Sequence, residues 1–221
     1  MLSRFAVGYE QVCRAILVAF IINVALLVHM LMGLVVLGLF PAIDAAYATW
    51  RTWMIDIDHS WSCKQTWLTF HHAWKDGFRS ANLAGWPQAL LWMLLIYDYS
   101  VVNFHDAGTM GYVSAGLLML IIMLYGVFSM LFWVMRANFA ENNRWCIRMT
   151  MQMLIVRPLC TLITVLAFIF TVLIWLTWPG VMVAFGVSLP IFMSVGCVFY
   201  FGRIPGMDVR DTDAWKSRHQ A

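Results

Sequence analysis

The sequence has little charge. Only 11% of its 221 residues are Asp, Glu, Lys or Arg, whereas 62% are hydrophobic. Soluble domains carry about 25% charged residues, and a soluble fold of this size could not cover its exterior with so few. The composition therefore excludes an ordinary soluble domain and predicts an integral membrane protein, with the lipid bilayer as its first partner.

Several patterns that would indicate chemistry are also missing. The sequence has no CxxC, HExxH or GxSxG motif and no Gly-rich phosphate loop, so metal, serine and nucleotide chemistry have no support. The five cysteines are scattered singly and are predicted to be free thiols. The formal net charge is only +3, which does not indicate a nucleic-acid partner. We expect no enzyme activity, no cofactor and no metal.

Long continuous apolar runs dominate the chain. Strands of membrane barrels alternate apolar and polar residues, so these runs are predicted to be helices. The predicted fold class is an all-α membrane bundle of about five transmembrane helices, within a single domain over 1–221. The first run is too long for a signal peptide and is predicted to remain as an anchor. The spans are expected over about 15–40, 83–99, 111–135, 159–178 and 181–201.

Shorter segments combine apolar residues at helical spacing with polar neighbours. This pattern is typical of amphipathic helices on a membrane surface. We expect Pro41 to end or bend the first span, and Ser80–Asn82 to turn the chain into the second. Gly186 and Pro190 are expected to kink the last span. The interfacial helices are predicted on the cytoplasmic side over about 42–55, 66–81 and 143–156.

Positive residues indicate the orientation. They cluster in the loop between spans one and two, in the loop between spans three and four, and in the C-terminal tail, whereas the other two loops contain none. By the positive-inside rule the three clustered regions are cytoplasmic. Five spans then place the N-terminus outside, although Arg4 and Arg14 argue against that placement. The cations are Arg51, Lys64, Lys75 and Arg79; Arg136, Arg144, Arg148 and Arg157; and Arg203, Arg210, Lys216 and Arg218.

Polar side chains within the spans are candidates for lining a cavity, because such groups are costly in a bilayer and usually face protein or water. Asn23 and His29 lie within the first span. Asp98 lies near the external end of the second span, close to His105 and Asp106. The alternative interpretation is that Asn23 and His29 form interhelical hydrogen bonds, and that Asp98 is an interfacial carboxylate exposed to water.

The stretch FHHAWKDGFRSANLAGW, residues 70–86, is the densest polar cluster. Its helical period divides it: the large aromatic residues share one face, towards the membrane or the bundle, and the charged residues share the face towards the cytoplasm. We expect the charged face to dock a partner, together with the segment 143–156. The candidate docking residues are His72, Lys75, Arg79, Arg144 and Arg148.

Carboxylates, imidazoles and a thiol also lie close together in the sequence around this stretch. These groups are metal ligands. Their spacing matches no metal motif, so a solvated loop is the preferred interpretation and no metal site is predicted. The residues concerned are Asp56, Asp58, His59, Cys63, His71, His72 and Asp76.

Three stretches resemble a known family. GLFPAIDAAYATWRTWM, residues 38–54, is similar to the Gly-x-x-Pro-Ala end of that family's first span and the helix after it. Residues 70–86 are similar to its aromatic–basic entry into the second span, and FGVSLPIF, residues 185–192, to the start of its last span. The chain thereby resembles the YesL family of small bacterial membrane proteins, whose function is not known.

The resemblance implies a five- or six-helix protein of the bacterial cytoplasmic membrane. Members are often encoded beside carbohydrate ABC importers, which implies an accessory or regulatory role in oligosaccharide import, with permease subunits as partners. The family assigns no catalytic residues. The His71–His72 pair and Pro87 depart from its pattern. The alternative function is a small transporter or ligand-binding membrane protein with a cavity between its spans.

Overall fold

The computed structural model describes residues 2–56, 59–104, 108–139 and 141–202, and all regular structure in these ranges is α-helical. The all-α class predicted from the apolar runs is therefore confirmed. Asp58, His105, Asp106 and the four cations of the C-terminal tail lie outside the described residues. The helices are α1 (Leu2–Met32), α2 (Leu39–Ile55), α3 (Cys63–Phe104), α4 (Gly108–Asn138), α5 (Asn143–Val156), α6 (Pro158–Thr177), α7 (Pro179–Phe185) and α8 (Ser188–Gly202).

Three segments are long and apolar enough to cross a bilayer: Tyr9–Met32, Met110–Asn138 and Pro158–Thr177. The pair α7 and α8, bent by 75°, would add a fourth crossing if it forms one broken span. The predicted second span, 83–99, is not among these segments. The chain is thus a helical membrane protein, and the count of five spans stays a prediction.

The predicted first span is interrupted before Pro41. α1 ends at Met32, and residues 33–38 form a tight turn. A Cβ atom on Gly33 would lie 2.2 Å from the Cα atom of Gly38, so this close approach requires glycine. Pro41 lies in the first turn of α2, where its missing N–H breaks no helical bond. The expectation that Pro41 ends the span is wrong, because the two glycines already end it.

α2 lies at the centre of the bundle, which corrects the prediction of an interfacial helix there. It packs against α1, α3, α4 and α8. Ala42, Ala45 and Ala46 are at most 1% exposed, and such small side chains let neighbouring helices approach closely. Trp50 is fully buried and donates a hydrogen bond to Ser188 Oγ of α8 at 3.2 Å. Its tryptophans, which predict an interface, are core residues instead.

α3 is one continuous helix of 42 residues. It joins the predicted interfacial helix 66–81 to the predicted span 83–99, so the turn expected at Ser80–Asn82 is wrong. Asn82 Nδ2 donates to the carbonyl oxygen of Phe78 in its own helix and to that of Leu37 in the turn after α1, each at 2.9 Å. Because these contacts occupy the amide, Asn82 fastens α3 to the turn rather than capping a new helix.

The last predicted span is broken near Gly186, where the sequence predicts a kink. α7 ends at Phe185 and α8 begins at Ser188. The 75° bend between the two helices exceeds the gentle curvature of an uninterrupted helix. Glycine ends helices readily because it adopts backbone conformations that other residues avoid.

α1 runs antiparallel to this broken pair. Asn23, in the middle of α1, contacts Val183 and Ala184 of α7. Gln11, near the start of α1, lines a cavity together with Tyr200 at the end of α8. The start of α1 and the end of α8 therefore lie at the same end of the bundle. Five spans would require them to lie at opposite ends.

Candidate functional site

The three candidate cavity residues do not meet in one site. Asn23 bonds to α7 and His29 bonds to α3. Asp98 is half-buried within the last two turns of α3. The first two side chains form interhelical hydrogen bonds, as the alternative interpretation holds.

Asn23 closes the break between α7 and α8. Its Nδ2 donates to the carbonyl oxygens of Val183 and Ala184 at 3.2 and 3.1 Å. Carbonyls in the last turn of a helix lack an intrahelical partner, and α7 ends at Phe185. Asn23 is only 5% exposed, so its amide supplies donors where water has little access.

His29, which is buried, forms a pair with the partly exposed His71. His29 Nδ1 lies 2.8 Å from the carbonyl oxygen of Ala25, and His29 Nε2 lies 3.0 Å from His71 Nδ1. A carbonyl only accepts, so His29 Nδ1 carries the hydrogen. In neutral His29 the Nε2 atom then accepts a hydrogen bond from His71 Nδ1–H. The Ala25 carbonyl fixes the tautomer of His29, and the contact with His71 joins α1 to α3.

Aromatic rings surround His29. The rings of Trp67, Phe70 and Trp74 lie 5.0–5.3 Å from the ring of His29, centroid to centroid. His29 has no exposed surface. The sequence places His29 in a span and His71 among scattered candidate metal ligands, and no local pattern predicts that the two meet. Among the described residues, no group of three or more His, Cys, Asp or Glu side chains is placed to hold a metal ion.

Arg136 and Asp44 form a buried ion pair that the sequence analysis did not identify as a site. Arg136 Nε and Nη2 donate to the two Asp44 carboxylate oxygens at 3.0 and 3.3 Å, a bidentate geometry. Their side chains are 10% and 13% exposed, respectively. Burial raises the pKa of the Asp44 carboxyl above its ordinary value, and the charge and hydrogen bonds of Arg136 act against this shift. The sequence signal for this pair is the presence of an acidic residue, Asp44, and a basic residue, Arg136, within apolar segments.

The same guanidinium reaches two more helices. Arg136 Nη1 donates to Asn143 Oδ1 of α5 at 2.6 Å, and Nη2 donates to Ser80 Oγ of α3 at 2.8 Å. α3 can lie this close because a Cβ atom on Gly77 would lie 2.8 Å from Asp44 Oδ2. Arg136 therefore ties α4 to α2, α3 and α5 at one point.

The predicted docking residues are exposed on α3 and α5, the two helices that Arg136 joins. His72, Lys75 and Arg79 are exposed on α3, and Arg144 and Arg148 are exposed on α5. Arg136 donates to Ser80, the chain neighbour of Arg79, and to Asn143, the chain neighbour of Arg144. It therefore bridges α3 and α5 beside the two exposed arginines. A buried cation thus fixes the spacing between two exposed cationic faces.

An open groove of about 590 Å³ lies between these faces. Arg79 lies four residues before Leu83, on the same face of α3. Guanidinium groups bind carboxylates and phosphates with directed hydrogen bonds. We refer to this feature as the cationic groove. It is lined by Leu83, Asn142, Asn143, Arg144, Trp145 and Arg148.

Comparison with known proteins finds one family model that matches part of the chain. Residues 19–99 match the model of a family described as "Protein of unknown function, DUF624". The match is consistent with the YesL-type resemblance and confirms it for these residues. It includes Asp44, His29 and His71, and ends before Arg136 and α5. No curated protein and no solved structure matches the chain.

Proposed function

Because residues 19–99 carry a DUF624 domain within an apolar helical bundle, we propose that this membrane protein is non-enzymatic and docks a partner protein in its cationic groove. The observation that carries the proposal is the double bridge from Arg136 to Ser80 and Asn143. Solubility alone does not require a fixed distance between two cationic helices. Docking benefits from one, because a preorganised surface lowers the entropic cost of binding.

The chemistry of the groove selects an acidic partner. The charged residues that line it, Arg144 and Arg148, are both positive, and Arg79 lies one turn from Leu83. The exposed acidic residue Glu141, next to Asn142, does not line the groove. Complementary charge steers association and suppresses wrong partners. The YesL-type resemblance supports a permease subunit of a carbohydrate ABC importer as this partner. The role is then accessory or regulatory to oligosaccharide import, in a bacterial cytoplasmic membrane, with the groove on the cytoplasmic side.

Co-purification with permease subunits of carbohydrate ABC importers tests the proposal. We expect the wild-type protein to retain them and R144Q/R148Q to lose at least about tenfold, because a hydrogen bond to a charged group contributes about 1.5–3 kcal/mol. The matched control is R14Q/K64Q, which also removes two positive charges, but at positions outside the groove. Arg14 pairs with Glu10 at the surface and Lys64 is exposed at the start of α3.

Two results would contradict the proposal. Equal losses in R144Q/R148Q and R14Q/K64Q would show that net charge, rather than the groove, retains the permease. No co-purification of any permease with the wild type, together with unchanged sugar uptake in a strain lacking the gene, would remove the link to carbohydrate import.

A further inference from the structure

A second cavity, of about 530 Å³, lies at the end of the bundle where α1 begins and α8 ends. Its volume falls within the range of about 300–1,000 Å³ that is usual for small-molecule sites. It shares no lining residue with the cationic groove. This cavity is therefore a separate site, and the proposed docking function does not use it.

The described wall residues are largely aromatic, and none of them is Asp, Glu, Lys or Arg. An ionised ligand would therefore lose its hydration without gaining a counter-charge from these residues. The described lining thus disfavours a phospholipid, a sugar phosphate and a nucleotide. Flat rings offer stacking and edge contacts to a flat ligand. The rings are those of Trp53, His59, Phe192, Phe199, Tyr200 and Phe201.

One wall residue has an unused hydrogen-bond donor. Trp53 is 7% exposed, and its indole N–H has no hydrogen-bond partner among the described residues. The indole can only donate, and an unsatisfied buried donor destabilises the structure that holds it. The indole nitrogen itself has less than 1 Å² of accessible surface, so the wall must shift before an oxygen atom of a bound molecule can supply the missing acceptor.

The number of polar groups separates two classes of neutral ligand. Gln11, His59 and Tyr200 provide the main polar side chains of the lining. A neutral sugar carries a hydroxyl group on almost every carbon, whereas the described lining is mostly apolar, and each unsatisfied hydroxyl is costly to bury. A lipophilic ring with one or two carbonyl oxygens needs few partners, and the surrounding bilayer concentrates such molecules.

From the aromatic walls, the lack of charged residues in the described lining and the unused Trp53 donor, we propose that this cavity binds a neutral, flat, lipophilic carbonyl compound, with the chemistry of a quinone ring. The ring packs against the aromatic wall residues of α2 and α8. A carbonyl oxygen accepts a hydrogen bond from the indole N–H after a small adjustment of the wall. Gln11 and Tyr200 lie at the polar edge.

The test uses the full chain in detergent and equilibrium dialysis with menadione, a naphthoquinone. The control ligand is 2-methylnaphthalene, which has the same ring system without carbonyl oxygens. We expect saturable binding of one menadione per chain and at least about tenfold weaker binding of 2-methylnaphthalene, which corresponds to the satisfied donor.

Two variants locate the site. A Cβ atom on Gly196, which lines the cavity, would lie 3.5 Å from the Met54 side chain, an ordinary contact. Gly196→Leu should therefore fill the cavity and weaken menadione binding at least tenfold. Gly116→Leu is the matched control, because nothing lies within 4 Å of its Cβ position. Trp53→Phe should weaken menadione about tenfold and leave 2-methylnaphthalene unchanged.

A thermal unfolding scan accompanies each variant, and Gly196→Ala replaces Gly196→Leu if the latter does not fold. Non-saturable uptake of menadione, equal losses in the Gly196 and Gly116 variants, or unchanged menadione binding in Trp53→Phe would each overturn the proposal. Binding of methyl β-glucoside in place of menadione would assign the cavity to sugars and overturn it. Binding that requires removal of 203–221 would assign the cavity to that segment and also overturn it.

Discussion

Arg136 makes more interhelical contacts than the sequence suggests for an arginine at the end of a span. It pairs with Asp44 and also donates to Ser80 and Asn143. Four of its five N–H groups are thereby used. Lysine could not replace it, since an ammonium lacks the planar fork that holds a carboxylate with two bonds.

Arg136→Met should destabilise the protein by about 3–5 kcal/mol, because it leaves the Asp44 carboxylate buried without its partner. The measurement is unfolding by SDS in mixed micelles. The double variant Asp44→Leu with Arg136→Met should recover most of this loss, since replacing a whole buried pair by apolar side chains is often neutral. Arg14→Gln is the control, and loss of this surface pair should cost about 1 kcal/mol or less. A double variant as unstable as Arg136→Met would show that the bonds to Ser80 and Asn143, rather than the ion pair, carry the stability.

Helical periodicity predicts the solvent-exposed face of 66–81 but not the buried position of α2. The exposure of His72, Lys75 and Arg79 follows from local spacing alone, because residues three and four apart share a helix face. The burial of α2 depends on which helices surround it. Its Trp50 and Arg51 are typical of a membrane interface, yet Trp50 is fully buried and Arg51 Nε donates to Asn138 Oδ1 of α4 at 2.8 Å.

The broken pair α7 and α8 depends on a side chain of another helix. Asn23→Leu should destabilise the protein by about 1–3 kcal/mol, because the carbonyls of Val183 and Ala184 lose their donor. The matched control is Thr171→Val. Thr171 Oγ1 donates to the carbonyl oxygen of Ala167 within α6, and that carbonyl keeps its backbone partner in the helix. Unfolding in mixed micelles measures both, and equal losses would mean that Asn23 does not cap α7.

At the scale of the whole molecule, the polar contacts between helices join distant parts of the chain. His29 and His71 are 42 residues apart, and Asp44 and Arg136 are 92 apart. The sequence predicts that such polar groups need partners. It does not predict which helices meet, since an apolar face can pack against several others with similar energy.

The antiparallel arrangement of α1 and α8 predicts the accessibility of their ends. In a variant without native cysteines, Gln11→Cys and Tyr200→Cys should react with a membrane-impermeant maleimide from the same side of the membrane. The reason is that both positions line one cavity. The measurement compares intact cells with permeabilised membranes, in which both cysteines should react. Reaction of only one cysteine in intact cells would contradict the arrangement and restore the odd number of crossings that five spans require.

The separation of Asp44 and Arg136 also has a consequence during biosynthesis. Asp44 leaves the ribosome 92 residues before Arg136, which at about 5–20 residues per second corresponds to roughly 5 to 18 s. During that time a carboxylate bound for the centre of the bundle has no guanidinium beside it. α1 to α3 must therefore wait for α4 before their packing is complete. A fragment limited to residues 19–99, the part that matches the family model, would contain Asp44 without Arg136, and its packing would stay incomplete.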